Sequence, residues 1–181
     1  VMEEKQVTVD GTSYEVQKPF LVIATQNPAG SAGTQLLPQA QMDRFLVRLS
    51  IGQPSLDMLV EILRDRQSEN PLERMKQVLT REEVLDMQKA VRSVYTSEEI
   101  LRYLGRLTEA SGRHEMLSLG ISPRGVIALH HMAKACAFVR ERDYVIPEDV
   151  REVFADVCAH RVLVSAKGKI AEKSDRQILQ E

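Results

Sequence analysis

Three polar residues carry most of the chemistry open to this chain: Asn27, Arg44 and Arg124. Asn27 stands where the apolar run 20–24 gives way to Thr25, Gln26 and then Pro28. A neutral amide both donates and accepts hydrogen bonds. At that point it could orient a water molecule and touch a phosphate oxygen without adding charge, or it could simply cap the turn before Pro28. Arg44 lies in Met42-Asp43-Arg44-Phe45. A guanidinium stays charged and can clamp phosphate oxygens as negative charge builds in a transition state. The alternative is an ion pair with Asp43 or another carboxylate at a helix end. Arg124 follows Ser122-Pro123, which reads as the N-cap and first position of a helix. A cation there opposes the helix dipole, so an anionic partner would suit it, although plain solvent exposure would cost little.

Other chemistries are poorly supported. His130 and His131 are neighbours on a predicted helix and point in different directions. His114 and His160 lack partners at ligand spacing, so no metal site is expected. Cys136 and Cys158 sit in apolar patterns, fit no zinc spacing and are expected to be reduced, buried thiols. Glu3, Glu4 and Glu61 belong to solvated helix faces, and no Ser-His-Asp or Cys-His arrangement emerges. The formal charge of −2 gives no general attraction for nucleic acid and weakens a helix-turn-helix reading. No apolar run approaches the ~18 residues of a membrane span. The charged start, VMEEKQVTV, is unlike a signal peptide, so a cytoplasmic location is expected.

These groups need a strand and two helix ends to hold them. Residues 20–25 read as a strand buried on both faces, with Asn27 just beyond its carboxyl end, where open α/β sheets bind ligands. Residues 45–51 read as a second strand, interrupted by Arg48. Ahead of them, the alternating segments 7–9 and 12–16 flank Asp10-Gly11, the preferred pair for a type I′ hairpin. From residue 55 the pattern becomes helical. Ser55 caps a helix over 56–66, with Leu56, Leu59, Val60, Ile62 and Leu63 on one side. Thr80-x-x-Glu83 forms a capping box for the next, and Thr96-Ser97-Glu98-Glu99 repeats that logic for 97–111, which Gly112 should end. Ser122-Pro123 opens a helix to about residue 140 whose apolar positions surround it, so it should be central. Pro147 opens another, with Ile146 a poor N-cap and Glu148 and Asp149 well placed near its positive end. The polar stretch 167–181 suggests a frayed helix. The 43% hydrophobic content over 181 residues is enough for a sizeable core.

The strings ATQNP at 24–28, LPQAQ at 37–41 and MDRF at 42–45 occur in the order and at the spacing of the region from sensor 1 to the arginine finger of the MoxR family of AAA+ ATPases, which the chain therefore resembles. The likeness continues through SIGQPS at 50–55, ISPRG at 121–125 and RDYVIPEDV at 142–150, nearly the whole chain. It implies a mostly α fold: a C-terminal fragment of an AAA+ α/β core (hairpin plus two strands) over 1–54, an α-helical lid over 55–166 and a polar tail over 167–181. It further implies that Asn27 is sensor 1, that Arg44 is an arginine finger acting in trans on a neighbouring subunit's nucleotide, and that Arg124 is sensor 2, serving either its own subunit's nucleotide or a neighbour's. The hairpin resembles the pre-sensor-1 insert, and could equally be a plain connector. Two departures, AGSAGT at 29–34 and Gln39 in place of a glutamate, remove negative charge near the expected subunit interface.

The chain begins with Val1 and contains neither G-x-x-x-x-G-K-[ST] nor an apolar strand ending in Asp-Glu. These supply the phosphate cradle and Mg²⁺ carboxylate that such hydrolysis requires. The resemblance therefore implies the C-terminal part of a longer ATPase, with ATP and Mg²⁺ used by the parent and none held tightly by this chain alone. The parent would be a homo-oligomeric ring, a hexamer, engaged in chaperone-like remodelling, with von Willebrand factor A domain proteins as partners. A magnesium-chelatase-type motor subunit and a non-catalytic helical interaction module are the alternatives.

Overall fold

The computed structural model describes residues 6–26, 37–67 and 70–181. Strands β1 (Gln6–Val9) and β2 (Thr12–Glu15) form an antiparallel hairpin with Val9 opposite Thr12. Asp10 (φ 49°) and Gly11 (φ 79°) both take the left-handed conformation that a type I′ turn demands. The segment Gln39–Met42 (α1) is a single helical turn.

The two strands expected at 20–25 and 45–51 are not hydrogen-bonded into any sheet. Leu21 and Ile23 are 79% and 80% exposed. The run is neither a strand nor part of the core: a strand needs a neighbour to satisfy its backbone, and the described residues supply none.

Helix α2 (Leu56–Asp65) is capped by Ser55, whose hydroxyl accepts from the Met58 N–H at 3.2 Å. Its apolar stripe is exposed throughout, from Leu59 at 43% to Leu56 at 76%. Helix α3 (Arg81–Ser93) opens with the full capping box of Thr80 and Glu83. Helix α4 (Glu98–Arg113) runs through Gly112 rather than ending there. A Cβ on Gly112 would meet nothing within 4 Å, so packing does not demand glycine there; the close approach falls on Gly120, whose Cβ would lie 2.6 Å from the Gly112 nitrogen.

Strand β3 (Leu117–Leu119) pairs with β4 (Leu163–Val164) in a small ladder that periodicity does not announce, since neither is long enough to show alternation. Helix α5 (Pro123–Val139) is central as expected, with Leu129, Ala133 and Ala137 fully buried. Its principal neighbour is α6 (Pro147–Cys158), which contributes Val150, Val157 and Cys158 to the core, and Ile100, Leu104 and Ile121 close it.

The weak N-cap at Ile146 is compensated. Asp149, fully buried, accepts the Ile146 N–H at 2.9 Å and a bidentate contact from Arg142. Burial acts to raise this carboxyl, but the Arg142 and Ile146 hydrogen bonds carry it below the usual carboxylate range. The end of the chain is not one frayed helix. Two short helices, α7 (Ala166–Ile170) and α8 (Asp175–Gln180), are capped by Ser165 and Ser174, and Ile178 is only 3% exposed. Among the described residues no helix is long and apolar enough to cross a membrane.

Candidate functional site

Residues 37–48 pass from α1 across the turn that follows α6, and that turn anchors them. Arg161 is the anchor. Its side chain is 2% exposed and its guanidinium donates five hydrogen bonds. Nε reaches the Asp43 carboxylate at 3.0 Å, and Nη2 reaches the backbone carbonyls of Asp43 (3.2 Å) and Phe45 (2.7 Å). Nη1 reaches the Leu46 carbonyl at 3.2 Å and the Val157 carbonyl. Burial pulls the Arg161 pKa below its ordinary value and Asp43 opposes that pull; the group remains charged.

His160 adds a second tie. Its Nε2 lies 3.0 Å from the Phe45 carbonyl, which can only accept, so the neutral ring carries its proton on Nε2. Nδ1 is buried and has no hydrogen-bond partner among the described residues. A second proton there would be unsolvated. Burial accordingly lowers the His160 pKa, against the smaller opposing effect of the Phe45 bond.

Two further ties hold the ends of the segment. The Gln39 side-chain amide donates to the His160 carbonyl at 2.8 Å. A glutamate carboxylate could not donate that bond, which gives the substitution of Gln39 a local reason. Arg48 donates its backbone N–H to the Asp156 carbonyl at 2.9 Å and pairs with Asp175 at 2.5 Å.

Of the three residues singled out from sequence, two fall here. Arg44 is exposed, and its side chain makes no hydrogen bond or ion pair among the described residues. The expected alternative, an Arg44–Asp43 pair, is not formed, because Arg161 holds that carboxylate. Arg124 stands at the second position of α5, 46% exposed, with Nη1 3.7 Å from Asp43 Oδ2. Its neighbour Gly125 gives room for the anchor: a Cβ there would lie 3.0 Å from Arg161 Cδ. The Asp43 carboxylate thus stands between Arg161 and Arg124, with Arg44 next along the chain. Asn27, and with it the AGSAGT loop at 29–34, lies outside the described residues.

Sequence reasoning missed Arg161 and His160. The usable signal was their setting, a His-Arg pair inside the otherwise apolar run 157–164. A cation buried in such a run needs a carboxylate and carbonyl partners. Environment disfavours the thiolate form of both cysteines. Burial pushes the Cys158 pKa up to about 12; Cys136 is raised too, chiefly by burial and then by Glu152, though it is only half-buried. Among the described residues, no three His, Cys, Asp or Glu side chains converge to hold a metal ion.

Residues 1–47 match the ATPase family associated with various cellular activities (AAA), and residues 109–181 match the AAA lid domain. The uncharacterized protein YeaC of Bacillus subtilis is 37% identical over 98% of this chain and 57% of its own length. Chaperone MoxR1 of Mycobacterium tuberculosis is 36% identical over 91% of this chain and 46% of its own. Protein MoxR of Methylorubrum extorquens is 28% identical, with 53% of its length covered. The chain thus spans about half the length of these relatives. A crystal structure of a predicted ATPase from Cytophaga hutchinsonii superposes with a TM-score of 0.88 at 33% identity, over 99% of this chain and 57% of that one. The chain belongs to the MoxR family of AAA+ ATPases, with residues of the family's AAA region followed by its lid.

Proposed function

We propose that this chain supplies the hydrolysis-sensing half of a MoxR-type ATPase that couples ATP turnover to chaperone-like remodelling of a partner protein. Arg44 acts as the arginine finger on the nucleotide of a neighbouring subunit, Arg124 acts as sensor 2, and Asn27 acts as sensor 1. The observation that carries the reading is the state of Arg44: a fixed backbone, an exposed guanidinium, and the adjacent carboxylate already committed to Arg161. A cation held out in this way suits an anion brought by another molecule.

Arg44 and Arg124 fit a polyphosphate, since both present donors and positive charge near one point of the surface. ATP with Mg²⁺ supplies the phosphoryl group to be transferred. The chain's own residues bind and orient: Arg124 would hold phosphate oxygens from the lid side, and Arg44 would meet the charge that develops on them. The phosphate cradle and the Mg²⁺ carboxylate would come from elsewhere in the full-length protein. The division near residue 54 follows this reading, with the finger on the AAA side and Arg124 on the lid. A homo-oligomeric ring, a hexamer, would bring finger and nucleotide together. A cytoplasmic location and von Willebrand factor A domain partners complete the reading.

A subunit-mixing experiment tests it in the full-length protein. A subunit mutated in its phosphate-binding loop keeps Arg44, and an Arg44→Ala subunit keeps the nucleotide pocket. Each alone should be inactive, and mixed rings should regain part of the phosphate release. Mixed rings that form without regaining activity would refute action in trans.

A further inference from the structure

We propose that Arg161 is a positioning residue for Arg44: it fixes the backbone on both sides of that residue and so aims the guanidinium at the neighbouring subunit. The inference rests on the finger reading of Arg44.

The geometry is specific. One buried side chain holds the carbonyl before Arg44, that of Asp43 (3.2 Å), and the two after it, those of Phe45 (2.7 Å) and Leu46 (3.2 Å). His160 adds a second donor to the Phe45 carbonyl at 3.0 Å. The direction of the Arg44 Cα–Cβ bond follows from those flanking peptides. No other fixed partner sets it, since the Arg44 side chain contacts no polar group among the described residues.

Arg161 is itself held fast. It packs where a Cβ on Gly125 would stand, its Nε is paired with Asp43, and it also donates to the Val157 carbonyl. Gly125 adjoins Arg124, and Asp43 adjoins Arg44. Arg161 thus frames the backbone of residues 43–46, and Arg124 meets that frame only at Asp43, 3.7 Å away. A displacement of about 1 Å in a transition-state contact can cost roughly 10²-fold in rate, so loss of this frame should appear in catalysis before it appears in folding. Lysine keeps the charge but has one nitrogen in place of the planar fork, and cannot span four carbonyls and a carboxylate.

The test uses full-length mixed rings and places Arg161→Lys in one subunit type at a time. In the subunit that donates Arg44, the restored phosphate release should fall roughly 10²-fold, with the KM for ATP within about threefold of its starting value. In the Arg44→Ala subunit, which donates only the pocket, the same substitution should leave activity within about twofold. A purely structural role would lower activity equally in both arms. Equal loss in the two arms, or no loss in either, overturns the positioning role while leaving the finger intact. If the unsubstituted mixture regains nothing although mixed rings form, the finger reading has failed and the positioning role falls with it. Should Arg161→Lys subunits not enter rings, Asp43→Asn, which removes the paired charge on the half-buried side of the contact, carries the same two-arm comparison with the same expected asymmetry.

Discussion

Gly125→Ala is the most telling small change, because the gain and the loss it brings can be separated by a control. Gly125 lies in the first turn of α5. A Cβ there would stand 2.9 Å from Ile121 Cγ2 and 3.0 Å from Arg161 Cδ, against an ordinary contact of 3.4–4 Å. Ile121 and Arg161 are 6% and 4% exposed, so neither can swing into solvent. Overpacking of this kind costs about 1–3 kcal/mol, and alanine returns up to ~1 kcal/mol of helix propensity. With the full return, the net expectation is a loss of about 0–2 kcal/mol. Gly105, inside α4, is the control: a Cβ there meets nothing within 4 Å. Gly105→Ala should stabilise by ~0.5–1 kcal/mol. With an m-value of roughly 2 kcal/mol/M, the urea midpoint should move down by up to about 1 M for Gly125→Ala and up by about 0.3–0.5 M for Gly105→Ala. Circular dichroism at 222 nm reads both. If Gly125→Ala raises the midpoint as Gly105→Ala does, the close packing of Arg161 on α5 is wrong.

Three other outcomes are expected. The Ser111 hydroxyl donates to the Thr108 carbonyl at 2.7 Å and accepts the buried Ile121 N–H at 2.9 Å. Ser111→Ala orphans that N–H and should cost about 1–3 kcal/mol in a denaturant titration; a neutral result would remove this contact from the account. His160 has a folded pKa below its unfolded value near ~6.5. The folded state therefore binds fewer protons, so stability is fully present above that unfolded value and is lost as pH falls from it toward the folded one. His160→Gln, which can still donate to Phe45, should flatten that slope, and an unchanged slope between pH 7 and 5 would contradict the assignment. Amide exchange should be slowest in α5, around Leu129, Ala133 and Ala137, and faster across residues 20–26; the reverse order by mass spectrometry would place the stable core elsewhere.

The helical part was legible because its signals are local. Ser55, Thr80 and Ser122 each cap the helix that the pattern assigns to them, whereas Ser97 caps α4 in place of the expected Thr96, whose hydroxyl is bonded to His130. Asp10-Gly11 specifies its turn for the same reason. The strands at 20–25 and 45–51 were not realised because a strand is a relation between segments, and apolar content says nothing of whether a partner is at hand. Gly112 also misled. The helix continues one residue past it to Arg113, and a Cβ at Gly112 would meet nothing within 4 Å, so no contact accounts for the glycine. Within the site, residue types and motif order marked Arg44 and Arg124, whereas the contact that organises them joins Asp43 to Arg161 across 118 positions. Periodicity cannot carry information over that distance. A charged residue inside an apolar run can at least flag that a buried partner is needed.

The central claim is that Arg44 serves catalysis rather than folding or nucleotide affinity. The direct measurement is ATP affinity and single-turnover hydrolysis by the full-length protein, assembled, with and without Arg44→Ala. Because Arg44 is exposed and its side chain makes no polar contact among the described residues, folding and ATP binding should be unchanged, while hydrolysis should fall by roughly 10³–10⁵-fold, the range for arginine fingers. Hydrolysis within a few-fold of the unsubstituted protein, or a loss of affinity that accounts for the whole change in rate, would contradict the account.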